Sequence, residues 1–266
     1  MMRDITIGQY YPADSILHRL DPRVKFVSTL VYIISLFVFS SWVGYGVAAL
    51  FLVALIVLSK VPFGFMVKGL KPIMVLLLIT MFFNLVFTPG EVLWSFWILK
   101  ITKEGIRLAI KMGIRLVFLI IGASIMTLTT TPNQLTDGLE RLLAPLKKLH
   151  VPVHELSMMM SIALRFIPTL IEETEKIISA QKARGADFDS GNLIQRAKAM
   201  IPILVPLFIS AFRRADELAT AMECRLYRGD VGRTRMRQLK IARVDICSML
   251  LVAVLFAAVI ALRRLG

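Results

Sequence analysis

Residues 26–59 run for 34 positions without one charged side chain. A helix needs roughly 17–25 residues to cross the hydrocarbon core of a bilayer, so this run is too long for one span and suits two. In lipid every backbone amide and carbonyl has to be satisfied within the protein, which makes helices the expected form. The joint falls at residues 40–46, Ser-Ser-Trp-Val-Gly-Tyr-Gly, whose aromatics suit the membrane interface. Asp21 and Pro22 supply an N-cap and a first-turn proline for the first helix.

Three further stretches have similar character. Residues 73–89 make a short uncharged third span. Residues 116–131 make a fourth, extendable backwards past Arg115 and Lys111 if those side chains snorkel, and residues 246–262 make the last. Composition agrees: 57% of residues are hydrophobic and 19% charged, whereas soluble domains have about 45–50% and about 25%. With a mean hydropathy of +0.72, the secretory, collagenous and disordered classes are excluded. Cys224 and Cys247 are the only cysteines, so no disulfide framework is expected. The N-terminus lacks the short apolar core and small-residue cleavage site of a signal peptide.

Orientation follows from the basic residues that flank the spans. Arg3, Arg19, Arg23 and Lys25 precede the first, and Lys60, Lys68 and Lys71 lie between the second and third, while the joint at 40–46 has no charge. The N-terminus is therefore expected in the cytoplasm, with four spans returning the chain there before Pro132 and the fifth carrying the C-terminus out. Two features pull against this count: Arg263 and Arg264 would lie outside, and so would most of the basic region 94–115. An extra span or re-entrant segment around residues 92–99 would change it. The expected fold is an all-α polytopic membrane protein of about five transmembrane helices plus long amphipathic cytoplasmic coupling helices. Its regions are residues 1–131, 132–245 and 246–266.

Residues 132–245 differ from the rest, with 18 Lys+Arg and 13 Asp+Glu among strong apolar runs. Thr131, Pro132, Asn133 and Gln134 read as a capping box with proline at the first helical position. Leu135, Leu139, Leu142, Leu146 and Leu149 then recur on one face, with Arg141, Lys147 and Lys148 on the other. That pattern fits a helix packed on the cytoplasmic portion, or one bound to the membrane surface. Beyond Pro152, residues 155–182 form a long helical candidate, apolar over 156–171 except for Arg165 and then carrying Glu172, Glu173, Glu175 and Lys176. It ends at Ala183-Arg184-Gly185, where glycine supplies a stop. After a turn-rich segment at 188–192 comes a second such region. Its apolar half, 200–212, contains Pro202 and Pro206, which are expected to kink it, and its polar half leads through Arg213, Arg214, Asp216 and Glu217 to Cys224-Arg225-Leu226. The two arginines stand 41 positions apart, which fits helix, turn and helix. Two similar arginine-tipped ends suit a partner that is itself a pair of similar subunits.

With these residues in place the chain resembles a known family, the transmembrane T component of energy-coupling factor (ECF) transporters. Residues 15–25, Ser-Ile-Leu-His-Arg-Leu-Asp-Pro-Arg-Val-Lys, are similar to the family's N-terminal signature, and Ala183-Arg184-Gly185 to its first arginine motif. Residues 215–227 resemble the region of the second, with Cys224 and Leu226 departing from the usual Ala-Arg-Gly. The resemblance implies a non-catalytic scaffold without cofactors in the bacterial cytoplasmic membrane. It implies that two cytoplasmic ATPases dock at Ala183, Arg184, Gly185, Cys224, Arg225 and Leu226. A separate substrate-binding membrane protein, the S component, would pack against the scaffold and release a vitamin or trace nutrient inside.

Other chemistries find little support. A phosphate-binding loop needs G-x-x-x-x-G-K-[ST], and Gly64 to Gly69 is followed by Leu70 and Lys71 instead. His150 and His154 lie near Glu155, but Pro152 between them prevents the shared helical face of a zinc site. The basic tract 225–243 abuts a span and reads as anchoring to anionic lipid rather than nucleic-acid binding. Met158, Met159 and Met160 suit either apolar packing or an adaptable partner surface. A stand-alone channel or secondary carrier is the alternative, but that class buries ionisable residues within its spans, and the spans assigned here are almost free of charge.

Overall fold

The computed structural model describes residues 10–38, 41–96, 99–188, 192–229 and 241–265. Short α1 (Ile16–Arg19) precedes α2 (Pro22–Val38) and α3 (Trp42–Ser59). The expected cap is present: Asp21 Oδ1 accepts from the Arg23 amide at 2.9 Å. Ser41 caps α3 through the Gly44 amide at 3.2 Å. After α4 (Phe63–Lys68) and one 3-10 turn come α5 (Met74–Phe87), strands β1 (Val92–Phe96) and β2 (Leu99–Thr102), α6 (Lys103–Thr129) and α7 (Pro132–Leu143). A second 3-10 segment, Ala144–Leu149, leads to α8 (Val153–Ala183), α9 (Leu193–Cys224) and α10 (Arg243–Leu265). The capping box of α7 is reciprocal: the Thr131 amide donates to Gln134 Oε1 at 3.2 Å and the Gln134 amide to Thr131 Oγ1 at 3.3 Å.

Two sequence expectations change. The described residues of the segment 92–99 form strand rather than a spanning helix: β1 and β2 pair antiparallel, with Ser95 opposite Lys100 and Phe96 opposite Leu99. Its aromatic and β-branched composition favours strands, and it is far too short to cross a bilayer as a helix. The fourth span also begins earlier, because Thr102 caps α6 by accepting from the Gly105 amide at 3.0 Å. This adds Lys103, Arg107, Lys111 and Arg115, one every four residues. Aromatic rings cover the deeper two: Lys111 Nζ lies 5.6 Å from the Trp42 ring, and the Arg115 guanidinium 5.7 Å from Phe37 and 6.0 Å from Tyr45. Such faces attract cations where water is scarce.

Among the described residues, Trp42–Ser59, Phe63–Phe87, Lys103–Thr129 and Ile194–Cys224 are long and apolar enough to cross a membrane. The first three match expected spans, and α2 and α10 cover the remaining two. The fourth lies in the region expected in the cytoplasm.

By their contacts the residues fall into two units, one of Ile7–Gly138 with Leu239–Gly266 and the other of Leu139–Gln238. The first is a helical bundle whose buried core includes Tyr32, Leu36, Phe51, Met66 and Ile125. Within it α5 and α6 pack closely because Gly105, Ala109 and Gly113 repeat every fourth residue, the spacing that lets membrane helices approach. A Cβ at Gly105 would sit 2.9 Å from the Leu85 carbonyl oxygen. A Cβ at Gly122 would overlap the Tyr32 ring, so α2 also meets α6 across a glycine.

A polar cluster closes the same unit. Buried Asp245 accepts from the Asp21 amide at 2.8 Å and from the Ala242 amide at 2.7 Å, so one carboxylate serves the starts of both α2 and α10. Arg23 grips Asp21 with two bonds, at 3.0 and 2.8 Å. Lys25 Nζ donates to the Thr129 carbonyl at 2.8 Å, placing a cation at the C-terminus of α6 where orphan carbonyls gather.

Asp245→Ala should therefore strip the buried Asp21 amide and the part-buried Ala242 amide of their acceptor, at about 1–3 kcal/mol for the buried one, and Gly122→Leu should cost about 1–3 kcal/mol by overpacking. Both are expected to lower the Tm of the detergent-purified chain, against an unchanged Tm for a control at exposed Leu50.

Candidate functional site

The unit Leu139–Gln238 is organised around α8 and α9, each a continuous helix, of 31 and 32 residues. Pro202 and Pro206, expected to kink the second region, both lie inside α9, which is helical on either side of them. Pro206 has no N–H for the Pro202 carbonyl four residues back, and the Gln181 side chain supplies that missing donor from α8 at 3.3 Å.

Cross-links between the helices mark antiparallel packing. Gln181 near the end of α8 meets Pro202 near the start of α9. Glu173 accepts from Ser210 and, at 3.1 Å, from Arg214. The Ser210 bond, followed by the charge of Arg214, holds the Glu173 carboxyl below its ordinary value. At the far end, Tyr227 reaches back to Met158 and His154 on α8. Between Glu173 and Tyr227 the helices line a crevice of about 300 Å³, walled by Ile162, Phe166, Leu170, Leu218 and Met222 among others.

This arrangement decides where the arginines go. Arg184 caps the C-terminus of α8 and Arg225 that of α9. At 1.5 Å per residue each helix is about 46–48 Å long, so antiparallel packing sets the two tips on the order of 40 Å apart, at opposite ends of the hairpin. All six of Ala183, Arg184, Gly185, Cys224, Arg225 and Leu226 are exposed.

The two caps share one hydrogen-bond pattern. At the first, Gly185 N–H donates to the Lys182 carbonyl and Ala186 N–H to the Gln181 carbonyl, both at 3.0 Å. At the second, Leu226 N–H donates to the Glu223 carbonyl at 2.8 Å and Tyr227 N–H to the Met222 carbonyl at 3.1 Å. Both are Schellman motifs, which place the residue after the cap in the left-handed region. Gly185 has φ +86° there and Leu226 φ +55°. Glycine takes that conformation freely, whereas a side chain costs about 1–2 kcal/mol. Cys-Arg-Leu thus keeps the shape of Ala-Arg-Gly at the expense of strain.

Two further features depend on packing. His154 Nδ1 lies 3.1 Å from Glu140 Oε1, and Ser157 Oγ donates to Glu140 Oε2 at 2.7 Å. His154 therefore belongs to a hydrogen-bonded cluster at the base of α8, while His150 is a left-handed cap outside that helix, with φ +60°. The second feature is a stripe on α9: Ile201, Leu204, Val205, Phe208, Ile209 and Phe212 fall on one helical face and are 43–69% exposed. Its spacing of three and four residues is visible in the sequence, but only packing shows that, among the described residues, it stays exposed. Residues 230–240 of the basic tract lie outside the described residues.

Comparison with known proteins gives consistent results. Residues 13–237 match the profile of the CbiQ family, described as cobalt transport protein. A protein of Ruminiclostridium cellulolyticum named energy-coupling factor transporter transmembrane protein EcfT is 58% identical over 246 residues, 92% of each chain. Proteins of the same name from Clostridium kluyveri and Bacillus subtilis are 56% and 46% identical, over 96% of this chain in both cases and 96% and 98% of theirs.

Gly185→Ala should weaken the first cap and Leu226→Gly strengthen the second, each by about 1–2 kcal/mol, read as faster amide exchange at Ala186 and slower exchange at Tyr227. Glu173→Ala should lower Tm at neutral pH. A carboxyl with a lowered folded pKa stabilises fully above its ordinary pKa and loses that contribution as pH falls through the lowered one. The Tm gap between Glu173→Ala and the parent should accordingly narrow on acidification.

Proposed function

The chain belongs to the family of transmembrane components of energy-coupling factor transporters, and on that premise we propose that it is the non-catalytic coupling scaffold of an ATP-driven importer. It carries the motion of two cytoplasmic ATPases to a separate substrate-binding S component. The observation that supports this most is the pair of matching arginine caps at opposite ends of the α8–α9 hairpin. Antiparallel helices with like ends are related by an approximate two-fold axis. A pair of similar ATPases related by the same operation offers one groove to each tip. Arginine's planar fork makes several directed bonds in such a groove, and a long helix conveys a displacement of its tip along its length.

The S component is assigned the α9 stripe, a contiguous uncovered apolar surface of the kind that marks protein or membrane contact. With polar Arg213, Arg214, Asp216 and Glu217 following it, α9 is amphipathic, and it is placed along the cytoplasmic membrane boundary rather than across the bilayer. Regions 1–131 and 246–266 then hold the scaffold in the membrane, with the N-terminus cytoplasmic. The S component selects the substrate, a vitamin or other micronutrient.

Arg184→Glu and Arg225→Glu should each weaken ATPase association by about 2–5 kcal/mol, and the double variant should abolish ATP-driven uptake while still inserting in the membrane. Phe208→Asp should lose the S component and retain the ATPases on copurification. Normal uptake by the double arginine variant would sink the coupling role. Uptake by the chain alone in liposomes would favour the channel or carrier reading instead.

A further inference from the structure

The two arginine caps are alike in hydrogen bonding and unlike in what holds them. After Gly185 the next residue is Ala186, whose methyl has no hydrogen-bonding group, and glycine needs no support in the left-handed region. After Leu226, which strains the backbone, the next residue is Tyr227. Its hydroxyl lies 3.0 Å from Met158 Sδ and 3.5 Å from His154 Nε2, both in the first turns of α8.

His154 is itself fixed. Glu140, an acceptor only when ionised, takes the Ser157 hydroxyl on one oxygen and faces His154 Nδ1 with the other, so Nδ1 carries the hydrogen and Nε2 is turned to Tyr227. His154 and Ser157 are 7% and 6% exposed. The strained cap therefore ends on a buried, mutually bonded set of side chains drawn from α7 and α8.

We propose that Tyr227 is a positioning residue that ties the Leu226 cap to His154 and Met158, holding Arg225 in a set direction and passing force at this tip to the base of α8 as well as along α9. The inference rests on the reading of Arg225 as an ATPase-docking tip. It makes the two docking ends unequal: the Arg184 end is a self-sufficient glycine cap, and the Arg225 end is a strained cap kept in place by a tether.

The test compares Tyr227→Phe, Leu226→Gly and the double variant, first as the chain alone by amide exchange and then in the full complex with ATPases and S component. Tyr227→Phe keeps the ring and removes the hydroxyl. Exchange at Leu226 and Tyr227 should rise about fivefold to tenfold, the loss of a single hydrogen bond, with Gly185 and Ala186 unchanged. In the complex, subunit recovery should hold while substrate imported per ATP hydrolysed falls. Adding Leu226→Gly should restore both readouts, because glycine caps without a tether. Glu140→Gln, which loosens His154 without touching the tip, should move them in the same direction by less. Unchanged exchange in Tyr227→Phe, unchanged coupling despite a loosened cap, or no rescue by Leu226→Gly would each overturn the proposal. Arg225→Glu in the same uptake assay separates the two levels. A loosened Tyr227→Phe cap beside full uptake by Arg225→Glu would refute the docking reading, and the positioning role with it, while leaving the tether intact.

Discussion

Asp245 binds the two ends of the chain together. Its carboxylate accepts one amide from the start of α2 and another from the start of α10, positions separated by more than two hundred residues. In a weakly polar interior an unmet amide or carboxylate is costly, so this bond allows the first and last long helices one mutual arrangement. The neighbouring contacts build outward from it. Arg23 neutralises Asp21, and Lys25 bridges from α2 to the buried Thr129 carbonyl that ends α6. The run Asp21-Pro22-Arg23-Val24-Lys25 is thus a set of fasteners: a cap, a helix-starting proline, an ion pair and a cross-link.

The hairpin of α8 and α9 is held differently. A few polar ties cross it, from Gln181, Glu173 and Tyr227, with a crevice between the last two. Its broad apolar stripe is left exposed among the described residues. A stiff pair of long helices with sparse cross-ties and an open apolar face is suited to receive partners and pass displacement between them. The membrane bundle, packed across glycines at Gly105 and Gly122, is suited to stay still.

Much of this was legible in the residues. The uncharged run 26–59 demanded two helices, and the capping signals at Asp21, Thr131 and Gly185 described real caps, because such signals act over three or four residues. The same local reasoning missed the hairpin of β1 and β2, where a short apolar run fits strand, span or loop equally well and its neighbours settle the choice. It allowed α6 to run back past Arg115 and Lys111 but did not place its start at Lys103, and only the packed structure sets Trp42, Phe37 and Tyr45 against those two cations. It rejected His154 as a zinc ligand and found it no other partner, because Glu140 and Tyr227 are distant in the chain and reach it only after α7, α8 and α9 pack.

By itself the sequence determined a helical membrane protein with two arginine-ended helices. Hydrophobic run length, helix periodicity and cap chemistry are local properties that require no knowledge of the fold. Only the tertiary structure decided that those helices lie antiparallel, so that the arginines face opposite ends, and that Leu226 adopts a conformation its side chain disfavours. Both depend on pairings between residues dozens of positions apart, where packing and buried hydrogen bonds outweigh the preference of any single residue.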